Sequence, residues 1–382
     1  MRSVLKNVHG QPSWVLESDG VEACVTEQGG HVAPVTFKFG REKIQPYHIA
    51  PWAEEPHENS CPEMLKLLRG DFFCLPFGGN DVPYKNEKHP PHGETSNAKW
   101  KLNELKRIGE LLCLRLGMDL KVRRGHVEKQ IWLHDGQHAV YSRHVVSGAH
   151  GVINLGHHAN LQFPDESGCG LVSTAPFELG QVFPGVFENP ANGGYQALKP
   201  GAFFKDLNKI PTVFGTNADC SRYPARRGYT DLIQMVSPSR LKMGWTAVSF
   251  PKHGYVWFAL KDPRVLRSTL LWHSNGGRHY APWSGRHVNC LGLEEITSYF
   301  HEGLAQSAKP NPYSKKGIRT VVKLNPRQPL VVNYIMAVAQ IPRTFGHVKQ
   351  ITPAIDRQSV SITDRAGRSV RASINVDFLG IQ

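Results

Sequence analysis

Short runs in which apolar and polar residues alternate recur along the whole chain, separated by the turn-forming residues Gly, Pro and Asn. Period-two alternation predicts β-strands, because successive side chains of a strand point to opposite faces of a sheet. The clearest runs are VEACVT, HVAPVTFKF, LLCLRLGMDL, AVYSRHVV, YVWFAL and VVNYIMAV. Since no helix-length amphipathic segments separate them, the pattern favours an all-β, antiparallel sandwich.

Three segments depart from this pattern. PEMLKLLRG at 62–70 is the best helical candidate, and it is short. The stretch 184–224 is rich in Gly, Pro and Asn, which predicts long loops of the kind that shape a cleft or an interface on a β-scaffold. Beyond Pro342 the sequence predicts one or two extra hairpins. We therefore expect a sandwich domain over 1–341 and a C-terminal β-hairpin extension, 342–382, packed on the same domain.

Composition narrows the class of protein. Hydrophobic residues make up 40% and charged residues 20% of the 382 residues, which excludes a disordered chain. A mean hydropathy of −0.36, without an apolar run of about 18 residues, excludes a membrane-spanning helix. The start MRSVLKNVHG lacks the apolar core of a secretion signal, so we expect a cytoplasmic protein that does not bind membranes. The seven cysteines contain no C-x-x-C pair and indicate neither a zinc site nor a disulfide framework.

The chain is basic, with 45 Lys and Arg against 32 Asp and Glu and a formal net charge of +13. Such a balance fits nucleic acid, an anionic sugar or simply a basic surface. The densest basic groups, at 121–124 and 225–227, are short, and no nucleic-acid-binding motif accompanies them. We therefore expect no nucleic-acid partner.

Ionisable residues interrupt apolar or turn-forming sequence in three segments. They are RGDFFCLPFGG…HPPHGETSNAKW at 69–100, INLGHHANLQFP at 153–164 and LLWHSNGGRHYAPWSGRHVNCLGLEE at 270–295. The first contains a Cys-x-Pro-x-Phe-Gly turn and then a His-Gly-x-x-x-Asn-x-x-Trp motif that includes His92 and Asn97. The second is a strand with a His pair, and the third combines Trp, Pro-Trp and Leu-x-Leu-Glu.

In this order, the three segments resemble the aldose 1-epimerase (galactose mutarotase-like) family, including its branch that acts on hexose 6-phosphates. The resemblance covers residues 20–340 and implies the family's antiparallel β-supersandwich. It also implies a catalytic His in the second segment and a catalytic Glu in the third. Ser96 stands where the phosphosugar branch usually has Arg.

Strand parity selects one histidine of the pair. Neighbouring residues of a strand face opposite sides of the sheet, so His157 and His158 cannot both point into one site. Ile153 and Leu155 share a face with His157. If this apolar face packs between the sheets, His158 faces the cleft and His157 is a structural residue.

The same test applies to CLGLEE, where Leu291, Leu293 and Glu295 share one face and Gly292 and Glu294 the other. An unpaired carboxylate in an apolar layer is costly. We therefore expect Glu295 to lie at the end of the strand and reach solvent, and Glu294 to face the cleft. Parity and the resemblance thus select the same pair, His158 and Glu294.

This pair suits the interconversion of sugar anomers. The reaction removes the proton of the C1 hydroxyl and protonates the ring oxygen, so that the ring opens, the C1–C2 bond rotates and the ring recloses. Glu294 is the expected base and His158 the expected acid. No metal or other cofactor is required. A hydrogen-bonded strand His and a solvated Glu are the structural alternatives for these two residues.

The resemblance also implies substrate contacts. His92 would bond the ring oxygen or a neighbouring hydroxyl, and Arg69 would contact the sugar or its anionic group. Trp283 and Trp272 are candidates for stacking on a sugar face, although core packing explains such residues equally well. Asn97 belongs to the first motif, and Arg278 could serve a sugar phosphate.

Together these observations predict an aldose 1-epimerase-like isomerase whose partner is a small sugar or sugar phosphate. A hexose-6-phosphate 1-epimerase and a non-catalytic carbohydrate-binding protein with the same fold are the alternatives. The acid and base pair distinguishes the enzymes from the last of these. A homodimer is left open.

Overall fold

The computed structural model describes residues 4–57 and 61–381, and every element below belongs to this part of the chain. Its strands in chain order are Lys6–Val8 (β1), Gln11–Glu17 (β2), Val21–Thr26 (β3), Val32–Phe39 (β4), Glu42–Ile44 (β5), Phe73–Cys74 (β6), Lys101–Ile108 (β7), Leu111–Leu120 (β8), Gly125–His134 (β9), Ala139–Ser147 (β10), Gly151–Ile153 (β11), Leu155–Gln162 (β12), Gly170–Thr174 (β13) and Leu179–Val182 (β14). The later strands are Phe203–Phe204 (β15), Ile210–Pro211 (β16), Asn217–Ala218 (β17), Arg222–Tyr223 (β18), Tyr229–Val236 (β19), Gly244–Phe250 (β20), Tyr255–Lys261 (β21), Ser268–Asn275 (β22), Cys290–Thr297 (β23), Val322–Leu324 (β24), Leu330–Gln340 (β25), Val348–Pro353 (β26), Ser359–Asp364 (β27) and Ser369–Ser373 (β28).

Helices are few and short. The α-helices are Glu63–Leu67 (α1) and Leu304–Ala308 (α2). Single 3₁₀ turns lie at Glu94–Ser96, Pro190–Asn192, Pro251–His253, Ser314–Lys316 and Val376–Leu379. The helix predicted within 62–70 is therefore confirmed as α1. Among the described residues, no helix combines the length and the apolar character needed to cross a membrane.

Two large antiparallel sheets dominate the architecture. One has nine strands in the order β18-β13-β20-β21-β25-β10-β9-β8-β7, and the other has seven in the order β15-β14-β19-β22-β23-β12-β6. The N-terminal strands β1 to β5 form a third sheet of five strands in sequence order. The predicted all-β, antiparallel class is thus confirmed.

The main core lies between the two large sheets. Its buried side chains include Leu114 and Ile131 of the nine-stranded sheet and Leu161 and Leu293 of the seven-stranded sheet. Each such side chain contributes about 1.5–3 kcal/mol by leaving water. The alternation along the strands therefore fixes which side chains enter the core. Odd-numbered residues of β12 and β23 point inward, and even-numbered residues point to the opposite face of the sheet.

That opposite face of the seven-stranded sheet is covered rather than bare. A separate hydrophobic cluster joins Leu232 and Trp272 of this face to Met64 of α1 and to Trp52 and Trp283 of loops. A small cavity lies between the sheet and this cover, and it holds the candidate site.

The chain after residue 341 adds a three-stranded antiparallel sheet, β26-β27-β28. Val360, Ile362 and Phe378 pack with Phe258 and Ile335 of the nine-stranded sheet in one cluster, on the face away from the main core. The division of the chain into 1–341 and 342–382 stays a prediction, and its terminal residues 1–3 and 382 lie outside the described residues. The loop-rich stretch 184–224 contains only four two-residue strands and one 3₁₀ turn.

Candidate active site

Strand pairing brings the predicted acid and base together. β12 runs antiparallel to β23 with His158 directly opposite Glu294. Such cross-strand neighbours have side chains on the same face of the sheet. His158 Nε2 lies 3.3 Å from Glu294 Oε1, and both side chains are buried. Both lie on the outer face of the seven-stranded sheet, whereas their neighbours His157 and Glu295 point into the sandwich.

The pair borders a small cavity of about 100 Å³. Such a volume is below the roughly 300–1,000 Å³ of typical drug-sized pockets, so it suits a small ligand. The walls come from the sheet, from α1 and from the loops after β14, β22 and β23. The lining residues are Met64, Leu65, Leu68, His92, His158, Phe187, Leu232, Trp272, Arg278, Trp283, Glu294 and His301.

Burial controls the protonation of the pair. It lowers the pKa of His158 well below the usual 6.5, and the nearby His92 and His31 act in the same direction. It raises the pKa of Glu294 well above the usual 4.5. Both shifts have the same cause, the loss of water around a charge. Burial therefore opposes the charged form of each group.

Gly292 gives the carboxylate its room. A Cβ atom at this position would lie 2.9 Å from Glu294 Oε1 and 3.1 Å from the Cβ of Trp272. The first distance is shorter than real Cβ contacts, and the second is shorter than nearly all of them. The glycine of the CLGLEE run thus lets Glu294 and Trp272 occupy the same face side by side.

His92 reaches the cavity from a turn with φ of +58°. The backbone N–H of Gly78 donates to its Nδ1 at 3.4 Å, and its ring meets that of His158 edge-on at 5.1 Å. Burial lowers the pKa of His92 to about 4, so the ring is neutral at pH 7. Because Nδ1 accepts, the ring proton is on Nε2, which makes His92 a hydrogen-bond donor.

Two tryptophans and an arginine also line the cavity. The rings of Trp272 and Trp283 meet edge-on with centroids 5.8 Å apart. The Arg278 guanidinium lies 4.6 Å from the Trp283 ring centroid and forms an ion pair with buried Glu188. The indole N–H of Trp272 is buried and has no partner among the described residues. It is therefore a donor that a bound oxygen atom could satisfy.

Arg69, by contrast, does not line the cavity. Its side chain is fully buried and donates to three backbone carbonyls, those of Leu67 at 3.0 Å, Val8 at 3.1 Å and His9 at 3.0 Å. These bonds use three of the five N–H donors of the guanidinium and tie the N-terminal sheet to the segment before β6. The expected contact of Arg69 with a substrate stays a prediction.

Asn97 is also outside the cavity wall. Its Nδ2 donates to the carbonyls of Pro91 and Gly93 at 2.7 Å each, and its Oδ1 accepts the N–H of Met64 at 3.0 Å. These bonds hold the turn that carries His92 and the first turn of α1. Asn97 therefore positions the wall of the cavity instead of contacting its contents.

The two inward residues have partners of their own. His157 Nδ1 lies 2.9 Å from Asp71 Oδ2, and both side chains are fully buried. Glu295 is likewise buried and ion-paired with Lys261 of the facing sheet. The expectation that Glu295 reaches solvent is wrong, because β23 continues to Thr297 and Lys261 compensates the charge inside.

Sequence reasoning missed several cavity residues. His301, whose pKa burial lowers to about 3, lies in the loop after β23, beyond all three motif segments. The apolar lining residues carry no motif, and only the fold brings them to the site. Those missed are Met64, Leu65, Leu68, Phe187, Leu232 and His301.

The cavity residues do not form a cluster of metal ligands. Within the described ranges, the one set of His, Cys and carboxylate groups close enough to share an ion is His48, His287 and Cys290, further along the same sheet face.

No protein-family model matches the chain, and no curated protein sequence matches it. Solved structures do. A candidate aldose 1-epimerase from Escherichia coli K12 has a TM-score of 0.58 and 13% identity, over 87% of this chain and all of that one. A candidate aldose 1-epimerase from Klebsiella pneumoniae has a TM-score of 0.60 and 13% identity, over 88% and 82% of the two chains. A galactose mutarotase-like protein from Clostridium acetobutylicum has a TM-score of 0.58 and 10% identity, over 88% and 98%.

At 10–13% identity these likenesses concern the fold, and the match extends along nearly the whole chain. The nearly all-β content and the antiparallel sheets of this chain agree with it. This chain has the galactose mutarotase-like, antiparallel β-sandwich fold.

Proposed function

We propose that this protein is an isomerase of the aldose 1-epimerase type, which interconverts the anomers of a small aldose. The observation that carries the proposal is the buried pair of His158 and Glu294, 3.3 Å apart in a cavity that also contains two indole rings. Acid, base and stacking surfaces are what the reaction needs. The names of the structural neighbours support the same class of activity.

In the proposed mechanism, Glu294 and His158 each transfer one proton when the ring opens and one proton back when it recloses. Glu294 takes the proton of the C1 hydroxyl while His158 gives a proton to the ring oxygen, and the C1–O bond to the ring breaks to leave the open-chain aldehyde. Rotation about C1–C2 presents the other face of the carbonyl. Reclosure then returns one proton to C1–O from Glu294 and one to His158 from the former ring hydroxyl.

The proton count explains why burial is compatible with this cycle. Before ring opening the pair is carboxylate and imidazolium, and after it the pair is carboxylic acid and neutral imidazole. Both states hold one proton. Burial favours the neutral state, and the 3.3 Å separation stabilises the charged state by attraction. The two states are the beginning and the end of the same step.

The cavity favours a sugar without a phosphate group. Of the described residues that line it, Arg278 alone carries a fixed positive charge, and Glu188 already neutralises that charge. Ser96, where the phosphosugar branch usually has Arg, is buried and bonded to backbone carbonyls. His92 and the free indole N–H of Trp272 can donate to sugar oxygens, and the indole faces can pack against C–H groups.

The test is the rate of anomer interconversion, followed by polarimetry or proton NMR on a panel of aldoses and their 6-phosphates. Glu294→Gln keeps the shape and removes the base; His158→Asn removes the acid. Each should lower kcat by roughly 10²–10⁴ with little change in sugar affinity. Glu302→Gln and His279→Asn, outside the cavity wall, are the matched controls and should leave the rate unchanged.

The pH dependence of the wild-type rate tests the proton count. Activity requires one proton on the pair, so the acid limb should lie below the usual 6.5 of His and the alkaline limb above the usual 4.5 of Glu, with a broad plateau between. Sugar binding without any acceleration would reject the enzyme in favour of a carbohydrate-binding protein. Acceleration confined to 6-phosphates would replace the neutral substrate by a hexose 6-phosphate.

A further inference from the structure

Three potential metal ligands from separate parts of the chain meet on the outer face of the seven-stranded sheet. His48 lies between β5 and α1, His287 lies in the loop before β23, and Cys290 is the first residue of β23. Their ligand atoms all lie within 4.8 Å of one another, and all three side chains are buried. The His48 and His287 ring centroids are 4.4 Å apart.

Strand register provides a supporting residue for each histidine. Cys290 pairs with Gln162 on β12 and with Ser274 on β22, so all three share one face. Gln162 Oε1 bonds His48 Nδ1, and Ser274 Oγ lies 2.7 Å from His287 Nδ1. Metal-binding histidines typically use the second ring nitrogen in this way, which sets the orientation of the ring.

The tautomer of His48 follows from the Gln162 amide. The amide nitrogen donates to the carbonyl of Phe163 at 3.0 Å, which defines which end of the amide is oxygen. Its oxygen can only accept, so His48 Nδ1 carries the proton and Nε2 presents a lone pair. For His287, the tautomer that the proposed site uses is the one in which Nδ1–H donates to Ser274 Oγ and Nε2 presents a lone pair.

The two Nε2 atoms lack partners in the part of the chain that the structure describes. His48 Nε2 and His287 Nε2 are both buried and have no hydrogen-bond partner among the described residues. The rings of Trp52, Trp272 and Trp283 surround His287. A buried acceptor without a partner is unfavourable, because it has lost its hydrogen bonds to water. Two such atoms beside a buried thiol call for a common partner.

We propose that His48 Nε2, His287 Nε2 and Cys290 Sγ bind one zinc-class divalent ion. Two imidazoles and one thiolate are a borderline-soft set that suits zinc over magnesium or calcium. Around a tetrahedral ion these atoms would be about 3.3–3.6 Å apart, given bonds of about 2.0–2.3 Å. The present separations, all within 4.8 Å, must close to that range when the ion binds. The thiol proton leaves as the sulfur binds the ion.

This site is distinct from the proposed acid and base pair. Cys290 and Glu294 lie on the same face of β23 but four residues apart, which is about 13 Å along a strand. The ion would join the loop before β23, which also carries Arg278 and Trp283, to the segment before α1. Its role is therefore to hold two walls of the cavity together, without contact to the reacting atoms.

The experiment uses the full chain, stripped with a chelator and then titrated with zinc against a competing indicator. One equivalent per chain should bind. Cys290→Ser should weaken zinc binding by more than about 100-fold. Loss of a residue that only hydrogen-bonds to a metal ligand already lowers metal affinity by about 10–100-fold. Cys220→Ser, at another fully buried thiol outside the cluster, is the matched control and should bind zinc like the wild type.

X-ray absorption of the zinc-loaded wild type gives an answer that does not depend on any variant folding. It should show one sulfur at about 2.3 Å and two imidazole nitrogens at about 2.0–2.1 Å. No uptake at several-fold excess of zinc, a coordination shell without sulfur, or equal loss in Cys220→Ser would each overturn the proposal. None of these results depends on whether the protein turns over a sugar.

Discussion

A buried ion pair next to the candidate site tests how the protein stabilises charged side chains in its interior. The Lys261 ammonium donates to the Ser268 carbonyl at 2.8 Å and to Thr269 Oγ1 at 2.9 Å, and it pairs with Glu295. The hydroxyls of Thr246 and Thr269 donate to the Glu295 carboxylate. Both charged side chains are at most 1% exposed. Every strong donor and acceptor of the pair is thus satisfied inside the sandwich.

Lys261→Met removes the positive charge at nearly constant volume and leaves a buried carboxylate with two hydroxyl donors only. Breaking a buried pair in this way costs about 3–5 kcal/mol, because the remaining charge has lost its counter-charge and cannot reach water. Against a typical total of about 5–15 kcal/mol, that is a large share of the free energy of unfolding. Replacing both partners, as in Lys261→Met with Glu295→Leu, removes the stranded charge, so the double variant should be more stable than Lys261→Met alone.

Urea unfolding of the wild type, both single variants and the double variant measures this coupling, provided the denaturant slopes agree. Catalysis per folded molecule should persist in every stable variant, since Glu295 points away from the cavity. A Lys261→Met variant within about 1 kcal/mol of the wild type would refute the reasoning. So would a double variant whose loss equals the sum of the two single losses.

Two further predictions concern pH and the space around the carboxylate. Burial lowers the pKa of His31 to about 3, so below pH 6.5 the unfolded chain binds a proton that the folded chain does not. Each such histidine should therefore lower the free energy of unfolding by about 1.4 kcal/mol for each pH unit below 6.5. Equal free energies of unfolding in urea at pH 7 and pH 5 would contradict this. In Gly292→Ala the added Cβ would lie 2.9 Å from Glu294 Oε1 and should push the flexible end of that side chain aside. We expect kcat to fall roughly tenfold while the circular dichroism spectrum stays the same. An unchanged kcat would show that the glycine is not needed there.

The local pattern of the sequence determines the strands, their class and the faces of their residues. The period of a strand is two whatever its partners are, so adjacent residues must diverge. For this reason parity alone separates His158 from His157 and Glu294 from Glu295, and the structure has them on opposite faces of the sheet. The short helix α1 is likewise predicted from its own stretch of sequence.

Only the tertiary structure decides what each side chain meets. Two of the three backbone carbonyls that accept from Arg69 belong to a segment about sixty residues earlier, and no local rule reveals those contacts. Lys261 reaches Glu295 across the gap between two sheets, which reverses the expected exposure of that carboxylate.

The cluster of His48, His287 and Cys290 has the same origin, because strand register rather than sequence spacing brings its members together. A search for closely spaced cysteines could not find it. Local sequence sets the direction in which a side chain points, since that depends on the backbone of its own strand. Its partners depend on the pairing of distant strands, and these contacts are made only when the chain has folded.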